Sequence, residues 1–456
     1  MHKHSLNYGL PWWDNECTNA IKRKRQAFRD YKNNPSETNF LESLRTRAQT
    51  RQLLRKKKKE GFVNFCENLS PNTSAKEVWS SIRRFAKGRK SKSPGVDKVP
   101  FSVLSHLPVE GAVFLIKFFN KILRRETTIP GTWKTQMVIA IPKPGRDPSA
   151  LSSYRPINLA SCISKTFEIM IKNRLEWFVE NQGLIDVRQT GFRKGKGTFD
   201  NLAVISSEVL CRLALNQIAA MVTLDISNAY DNINVDLLTS VLAKIGIARD
   251  LTLLIKDFLT NRKIQVKDPS TNTFVSGRTT SKGVPQGSPL SPLLFNIYIN
   301  SIKETIPENI RLLQFADDTA LLSTGTDAQT IVNNLNRTLQ NIHIWSLNVG
   351  LEINPNKSAA IFFSRKNFKV NYLPRLHLNT RTIAWTNSIT YLGVIFDPKL
   401  SWESQIRNMI QKASGGLNMM RFISRIWWGA HPSTLLTFYK AYVRPHLDYG
   451  AFFFGW

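Results

Sequence analysis

The chain has 456 residues, 42% of them hydrophobic, and its 63 Lys and Arg against 33 Asp and Glu give a formal net charge of +30. On a prior of roughly 100–200 residues per domain, that length accommodates two to four domains or subdomains. An ordinary apolar content with 10% aromatic residues argues against a disordered basic tail and for a folded protein that meets a polyanion such as DNA or RNA. The four cysteines (Cys17, Cys66, Cys162, Cys211) are scattered without a CxxC or Cys/His pattern, which speaks against a disulfide framework or a zinc site. No signal peptide opens the chain and no apolar run approaches the ~18 residues of a membrane span, so the default is an intracellular, reducing compartment with no membrane partner.

Residues 1–92 hold 22 Lys and Arg against 8 Asp and Glu, which supplies +14 of the total charge. Apolar pairs at helical spacing (Phe28 and Tyr31; Leu41 and Leu44; Val78, Trp79, Ile82 and Phe85) predict helices with one packed face. Two basic runs, Lys22–Arg25 and Arg55–Lys59, face outward, either as a solvated surface or as a surface that tracks phosphates. Residues 87–95 read as a polar linker, after which Met137–Ile141 is a strand closed by the turn Pro142-Lys143-Pro144-Gly145. Thr198 caps a helix with the apolar face Leu202, Ile205, Val209 and Leu213. Met221–Ile226 is a buried strand, and a helix over Val235–Ile245 stops at Gly246.

Ser291-Pro292 reads as cap and first turn of a helix through Leu294, Ile297 and Tyr298. Leu312–Phe315 and Thr319–Leu322 form a hairpin with Ala316-Asp317-Asp318 at its bend. An amphipathic helix carries Ile331, Leu335, Leu339 and Ile342, with Gly350 beyond it. Strands follow at Ala359–Phe363 and Thr390–Phe396, and Trp402–Tyr442 is mainly helical, its aromatics (Trp427, Trp428, Phe438, Tyr439, Tyr442) better read as core than as base-stacking groups. The abrupt start at Pro11-Trp12-Trp13 and the apolar run at residues 450–456 suggest a piece of a longer polypeptide.

Three aspartates stand out. Asp225 ends an apolar run, and Asp317 and Asp318 sit together between apolar residues 92 positions later. Three ionised carboxylates against a core are costly unless cations neutralise them. Hard oxygen ligands without His or Cys nearby suit Mg²⁺, with Mn²⁺ as a substitute, and two ions ~3.5–4 Å apart would serve nucleotidyl transfer. An acidic pair in a turn is usually only solvated, so the case rests on its company.

That company is Thr223-Leu224-Asp225-Ile226-Ser227-Asn228-Ala229-Tyr230-Asp231, then Gly283-Val284-Pro285-Gln286-Gly287-Ser288-Pro289-Leu290-Ser291-Pro292, then Phe315-Ala316-Asp317-Asp318-Thr319. In this order the blocks resemble motifs A, B and C of reverse transcriptases, most like the non-LTR (LINE-type) retrotransposon group and its jockey-type elements. With flanking blocks the resemblance covers roughly residues 94–400. It implies an RNA-directed DNA polymerase with an RNA template, a DNA primer and deoxynucleoside triphosphates as partners, and an endonuclease region elsewhere in a longer polypeptide. It places such a protein in nucleus and cytoplasm.

The same resemblance implies roles. Asp225, Asp317 and Asp318 match the metal-binding acids, with the Ile226 carbonyl as a further ligand. Tyr230 matches the aromatic gate whose ring would collide with a ribose 2′-hydroxyl, and Gln286-Gly287 matches the loop lining the nucleotide pocket. Lys143 and Arg155 match the grip on the triphosphate. Arg193 and Lys194, in the block Gln189–Gly195, match a template contact, and the alternative for both is plain surface charge. Lys357, in Asn354-Pro355-Asn356-Lys357-Ser358, matches a proton donor to pyrophosphate. Tyr391-Leu392-Gly393 matches the primer grip.

The fold expected is α+β, a right hand with residues 1–92 as a basic helical extension and 93–221 as fingers. Residues 222–390 would be an antiparallel palm with an insertion near 246–282, and 391–456 the primer-grip hairpin and a truncated thumb. Two alternatives stay open. Another palm polymerase, such as an intron-type reverse transcriptase or a viral RNA-dependent RNA polymerase, would share the acids, and a catalytically inactive element relic would only bind RNA.

Overall fold

The computed structural model describes residues 13–67, 95, 97–143, 147, 149–150, 153–267, 273–366, 372–424 and 430–454. These fall into two compact units, one holding residues 13–67 and the other the described residues from 95 onward. The helical pattern over residues 78–85 and most of the linker over 87–95 lie outside the described residues. Among the described residues no helix is long and apolar enough to cross a membrane.

The first unit is a helical pair, α1 (Asn15–Asn33) and α2 (Glu37–Glu67). Asp14 caps α1 by accepting from the Cys17 amide at 2.9 Å, which satisfies one of the orphan donors at a helix start. Thr50 donates to the Ala20 carbonyl at 3.1 Å, and Lys57 reaches Asp14 and Glu16 at 2.8 and 2.7 Å, so the two helices run antiparallel. The seam is made of small side chains: Cys17, Ala20, Ser43 and Thr50 are buried. Leu41 and Leu44, expected on the packed face, are exposed, because a seam this narrow has no room for them.

The second unit is built on two sheets. A four-stranded sheet has the order β2-β1-β4-β5, from β1 (Thr135–Pro142), β2 (Tyr154–Leu159), β4 (Arg262–Lys267) and β5 (Phe274–Thr280). The segment expected as an insertion near 246–282 therefore supplies half of this sheet, with β4 parallel to β1. A six-stranded sheet has the order β6-β7-β3-β8-β10-β9, from β3 (Ile218–Ser227), β6 (Ile310–Phe315), β7 (Asp318–Gly325), β8 (Glu352–Phe363), β9 (Leu376–Leu378) and β10 (Arg381–Trp385). A separate hairpin pairs β11 (Ile389–Tyr391) with β12 (Val394–Phe396). The single strand expected over Thr390–Phe396 is broken at Leu392-Gly393, where both residues take positive φ.

Strand β3 is buried on both faces, and its period-2 alternation feeds two cores. Ala220, Val222, Leu224 and Ile226 enter a large core with helices over Val235–Lys244, Arg249–Leu259, Ser291–Ile299 and Ala328–Asn348. Ala219 and Met221 enter a second core with the helix Thr198–Ala214. That helix buries Leu202, Ile205, Val209 and Leu213, the face its periodicity predicts. Ser291 opens its helix as the first residue rather than the cap, because its hydroxyl donates to the Pro285 carbonyl at 2.9 Å. Among the C-terminal aromatics, Tyr442 is exposed and leans on Phe438 with ring centroids 5.2 Å apart, so it is not core; Trp427 and Trp428 lie outside the described residues.

Met221 is fully buried at the middle of β3. Met221→Ala should cost about 2–5 kcal/mol, read as a lowered urea midpoint; an unchanged midpoint would mean that β3 does not carry the second core.

Candidate active site

The β3–β7 ladder runs antiparallel from Ile218↔Gly325 to Leu224↔Thr319. The ladder ends there, with Asp225 the next residue of β3 and Asp318 the adjoining residue of β7. Asp225 has the strand parity of Ala219 and Met221, and Asp318 that of Ala320 and Leu322, all members of the second core. Both residues therefore belong to one face of the sheet, where that core ends. Asp317 is the neighbour of Asp318 in the two-residue turn Ala316-Asp317 that joins β6 to β7.

Crowding by protein atoms, with repulsion from Asp317 and Asp225 added to it, pushes the Asp318 carboxyl up to about 6. Asp317 is raised by the same two causes, burial first and then the charge of Asp225. The three acids thus feel one another although 92 residues separate the first from the second. Among the described residues, no group of three His, Cys, Asp or Glu side chains is already placed as a metal cage. The donor chemistry nevertheless fits a hard divalent cation: oxygen ligands only, mutually repelling, at one corner of a sheet.

The cation facing Asp225 is Lys357, with Nζ 3.5 Å from Oδ2. It gets there by a break in the β3–β8 register between Thr223↔Ala359 and Asp225↔Asn354. Residues Pro355–Ser358 arch out opposite Leu224 alone. The arch is held by the Asn354 carboxamide accepting from the Asn356 amide at 3.0 Å, by Ser358 donating to the Asn354 carbonyl at 2.8 Å, and by the Asp225 amide donating to Ser358 Oγ at 3.3 Å. Ile226 pairs with Ile353 on the β8 side, and the β7 ladder stops before it.

Tyr230 stacks on Phe295 with ring centroids 5.1 Å apart and planes 9° apart. Burial, with Asp317 as the nearby charge, raises its hydroxyl pKa, so the ring stands rigid and neutral beside the acids. Its carbonyl accepts from the Val284 amide at 2.8 Å, tying the turn after β3 to the loop ahead of the Ser291–Ile299 helix. In that loop the Gln286 carboxamide is 3.5 Å from Asp231 Oδ2, and the Gln286 carbonyl accepts from the Asn158 amide at 2.8 Å. Gly287 has φ 114° and a Cβ there would stand 2.7 Å from the Asn158 carbonyl oxygen, so no other residue fits.

Arg155 is exposed on β2, paired in register with Ile141 of β1, and the Lys143 amide donates to the Ser153 carbonyl at 2.7 Å. Both basic residues thus sit at the same end of the β1–β2 hairpin. Arg193 is different. Its guanidinium meets Glu180 at 2.7 and 2.6 Å and the carbonyls of Asp186 and Gln189 at 2.7 and 3.0 Å. Arg193 thus braces its own loop, while Lys194 beside it is exposed. Tyr391 is likewise buried, its hydroxyl within 3.5 Å of the Leu313 and Asp318 carbonyls. The Leu392 carbonyl accepts from Tyr449 at 2.5 Å, and Gly393 lies under the Tyr449 ring.

Sequence reading missed Glu168. It is buried, accepts from Ser164 at 3.1 Å and from Ser288 of the Gln286–Gly287 loop, and burial pushes it up to about 7. A charged residue inside the mainly apolar buried face of the helix Cys162–Asn181 was the available signal. Between the ordinary value of 4.5 and about 7, the native protein holds a proton that the unfolded chain has lost. This contribution to stability is therefore full below about 4.5 and lost as pH rises through about 7, on the order of 3 kcal/mol. Glu168→Gln should flatten the fall of the urea midpoint between about pH 5 and 8; parallel wild-type and variant profiles would show that Glu168 does not carry a native-state proton.

A model of the family described as reverse transcriptase (RNA-dependent DNA polymerase) matches residues 141–396. The chain is 26% identical over 442 residues to a probable RNA-directed DNA polymerase from transposon BS of Drosophila melanogaster, covering 92% of this chain and 48% of that relative. It is 29% identical over 377 residues to the RNA-directed DNA polymerase from mobile element jockey of the same organism, covering 80% and 40%. The chain thus spans about half the length of these curated relatives or less. A solved structure of apo telomerase from Candida tropicalis is similar at a TM-score of 0.43 with 12% identity, over 96% of this chain and 76% of that one, a likeness too distant to carry an argument. With more than half its length matched by that family's model, and with the three acids gathered at one sheet corner, the chain belongs to the reverse transcriptase family.

Proposed function

We propose that this chain is the polymerase part of a non-LTR retrotransposon protein, an RNA-directed DNA polymerase that extends a DNA primer on an RNA template. The observation that carries the reading is the end of the β3–β7 ladder at Leu224↔Thr319, where Asp225 and Asp318 are the adjoining residues of the two strands and Asp317 lies in the turn. Asp225, Asp317 and Asp318, with the Ile226 carbonyl, would hold Mg²⁺, or Mn²⁺ in its place. When bound, such ions polarise the primer 3′-hydroxyl and neutralise the departing pyrophosphate.

The chain's own residues do the rest. Lys143 and Arg155 sit at one end of the β1–β2 hairpin and would clamp the triphosphate by charge-assisted hydrogen bonds. Gly287 lets backbone approach the incoming nucleotide closely, and Gln286 supplies an amide beside it. The Tyr230 ring, fixed by its stack on Phe295, would lie under the sugar and reject a 2′-hydroxyl. Lys357 is positioned to leave Asp225 and give a proton to pyrophosphate. Lys194 would touch template, and the hairpin Tyr391-Leu392-Gly393 would guide the primer. The β1–β2–β4–β5 sheet acts as fingers, the six-stranded sheet as palm, and the helices from Glu403 onward as a thumb. Exposed Lys22, Arg23 and Arg25 on α1 would add salt-sensitive, sequence-independent contacts to RNA.

Asp317→Asn should abolish Mg²⁺-dependent primer extension on an RNA template, a loss of at least about 10³-fold; undiminished synthesis would overturn the reading. Tyr230→Ala should keep deoxynucleotide incorporation and raise ribonucleotide incorporation by about 10-fold or more. Equal use of both sugars by the wild type would instead favour an RNA-synthesising palm polymerase.

A further inference from the structure

The turn that carries Asp317 is under strain and is held from outside. Ala316 takes φ 56°, a left-handed conformation that costs a non-glycine residue energy and persists only where neighbours enforce it. The neighbours come from Gln189-Thr190-Gly191. Gln189 Oε1 accepts from the Ala316 amide at 2.8 Å and from the Gly191 amide at 3.0 Å, while Gln189 Nε2 donates to the Ala316 carbonyl at 3.2 Å. One carboxamide thus satisfies both polar groups of the strained residue. Thr190 donates twice to the Gln314 carbonyl, from its amide at 2.9 Å and its hydroxyl at 3.0 Å, and Asn201 donates to the same oxygen at 2.9 Å. A Cβ on Gly191 would stand 2.2 Å from the Ala316 nitrogen, so this backbone packs directly on the turn. Asn296, from the helix that stacks Phe295 on Tyr230, donates to the Gly191 carbonyl at 2.8 Å.

We infer that Gln189 is a positioning residue for the catalytic acids: its side chain locks the Ala316 peptide so that Asp317 and Asp318 face Asp225. Gln189 is buried and bonds to no carboxylate. It acts through the Ala316 backbone. Loss of its amide leaves two buried backbone groups of Ala316 without partners, and the turn then has no reason to keep its left-handed residue. The acids keep their chemistry and lose their placement.

The inference rests on the polymerase reading, and metal binding separates the two. Mn²⁺-dependent thermal stabilisation of the intact chain reports assembly of the acids without any turnover, alongside single-nucleotide extension of a primer on RNA. Gln189→Leu, close in size and without hydrogen bonds, should shift the Mn²⁺ midpoint upward by about tenfold and lower the extension rate by at least as much. The KM for the nucleotide should stay within about threefold, since the pocket residues are untouched. Gln189→Met, close in length and likewise without hydrogen bonds to the Ala316 peptide, should shift the Mn²⁺ midpoint in the same direction. A wild-type midpoint and rate in Gln189→Leu overturns the inference. So does wild-type behaviour of Gln189→Met, which also decides the matter if the leucine variant does not fold. Failure of the wild type itself to bind Mn²⁺ or extend a primer overturns the polymerase reading instead.

Discussion

Like charges at one corner of a sheet repel, and the fold brings three of them there. The end of the β3–β7 ladder brings Asp225 and Asp318 to one corner, and the turn adds Asp317. Nothing in the cores rewards this arrangement. Both cores are complete without it, since Met221 and Val222 and their neighbours along β3 are already buried. Desolvation first, and then repulsion from Asp317 and Asp225, raise the Asp318 carboxyl to about 6. Such a site is stable only in company of positive charge, and the protein supplies Lys357 at 3.5 Å from Asp225. Oxygen donors crowded in this way are the chemistry a hard divalent cation would meet.

Holding repelling groups in place requires bracing from structure that does no chemistry. The loop after the helix Cys162–Asn181 provides it at the turn, through Gln189, Thr190 and Gly191. Arg193 in turn fastens that loop to Glu180. Behind the sheet, Tyr391 reaches the carbonyls of Leu313 and Asp318 from the β11–β12 hairpin. The Gln286–Gly287 loop is fastened at Asn158 of β2 and at buried Glu168. Arg193 and Tyr391, read from sequence as contacts with nucleic acid, also tie the loop and the hairpin to the strands that carry the acids.

Legibility in the sequence followed the range of the interactions. Asp225 at the end of an apolar strand, the acidic hairpin and the helix face Leu202-Ile205-Val209-Leu213 depend on local alternation and periodicity, and they stood out at once. The parallel pairing of β4 with β1 joins residues more than 120 positions apart, and no local pattern records it; the segment read as a fingers/palm insertion supplies β4 and β5 of that sheet. The Leu392-Gly393 break is a turn whose first positive-φ residue is a leucine, which propensity argues against. The arch at Pro355–Ser358 was legible as turn chemistry, whereas its consequence, Lys357 against Asp225, depends on which strand lies beside it. Gln189 opens a block that resembles the family pattern, but its clamp on the turn was not legible, since a glutamine clamps a turn only after tertiary folding has brought the turn to it.

The most direct test of the account is Mn²⁺ titration followed by electron paramagnetic resonance on the wild-type chain and on Asp225→Asn and Asp318→Asn. If the register assembles one acidic receptor, the wild type binds Mn²⁺ and either substitution weakens binding by about tenfold or more. Mn²⁺ binding that is equal in all three proteins would contradict the claim that these carboxylates form a single site.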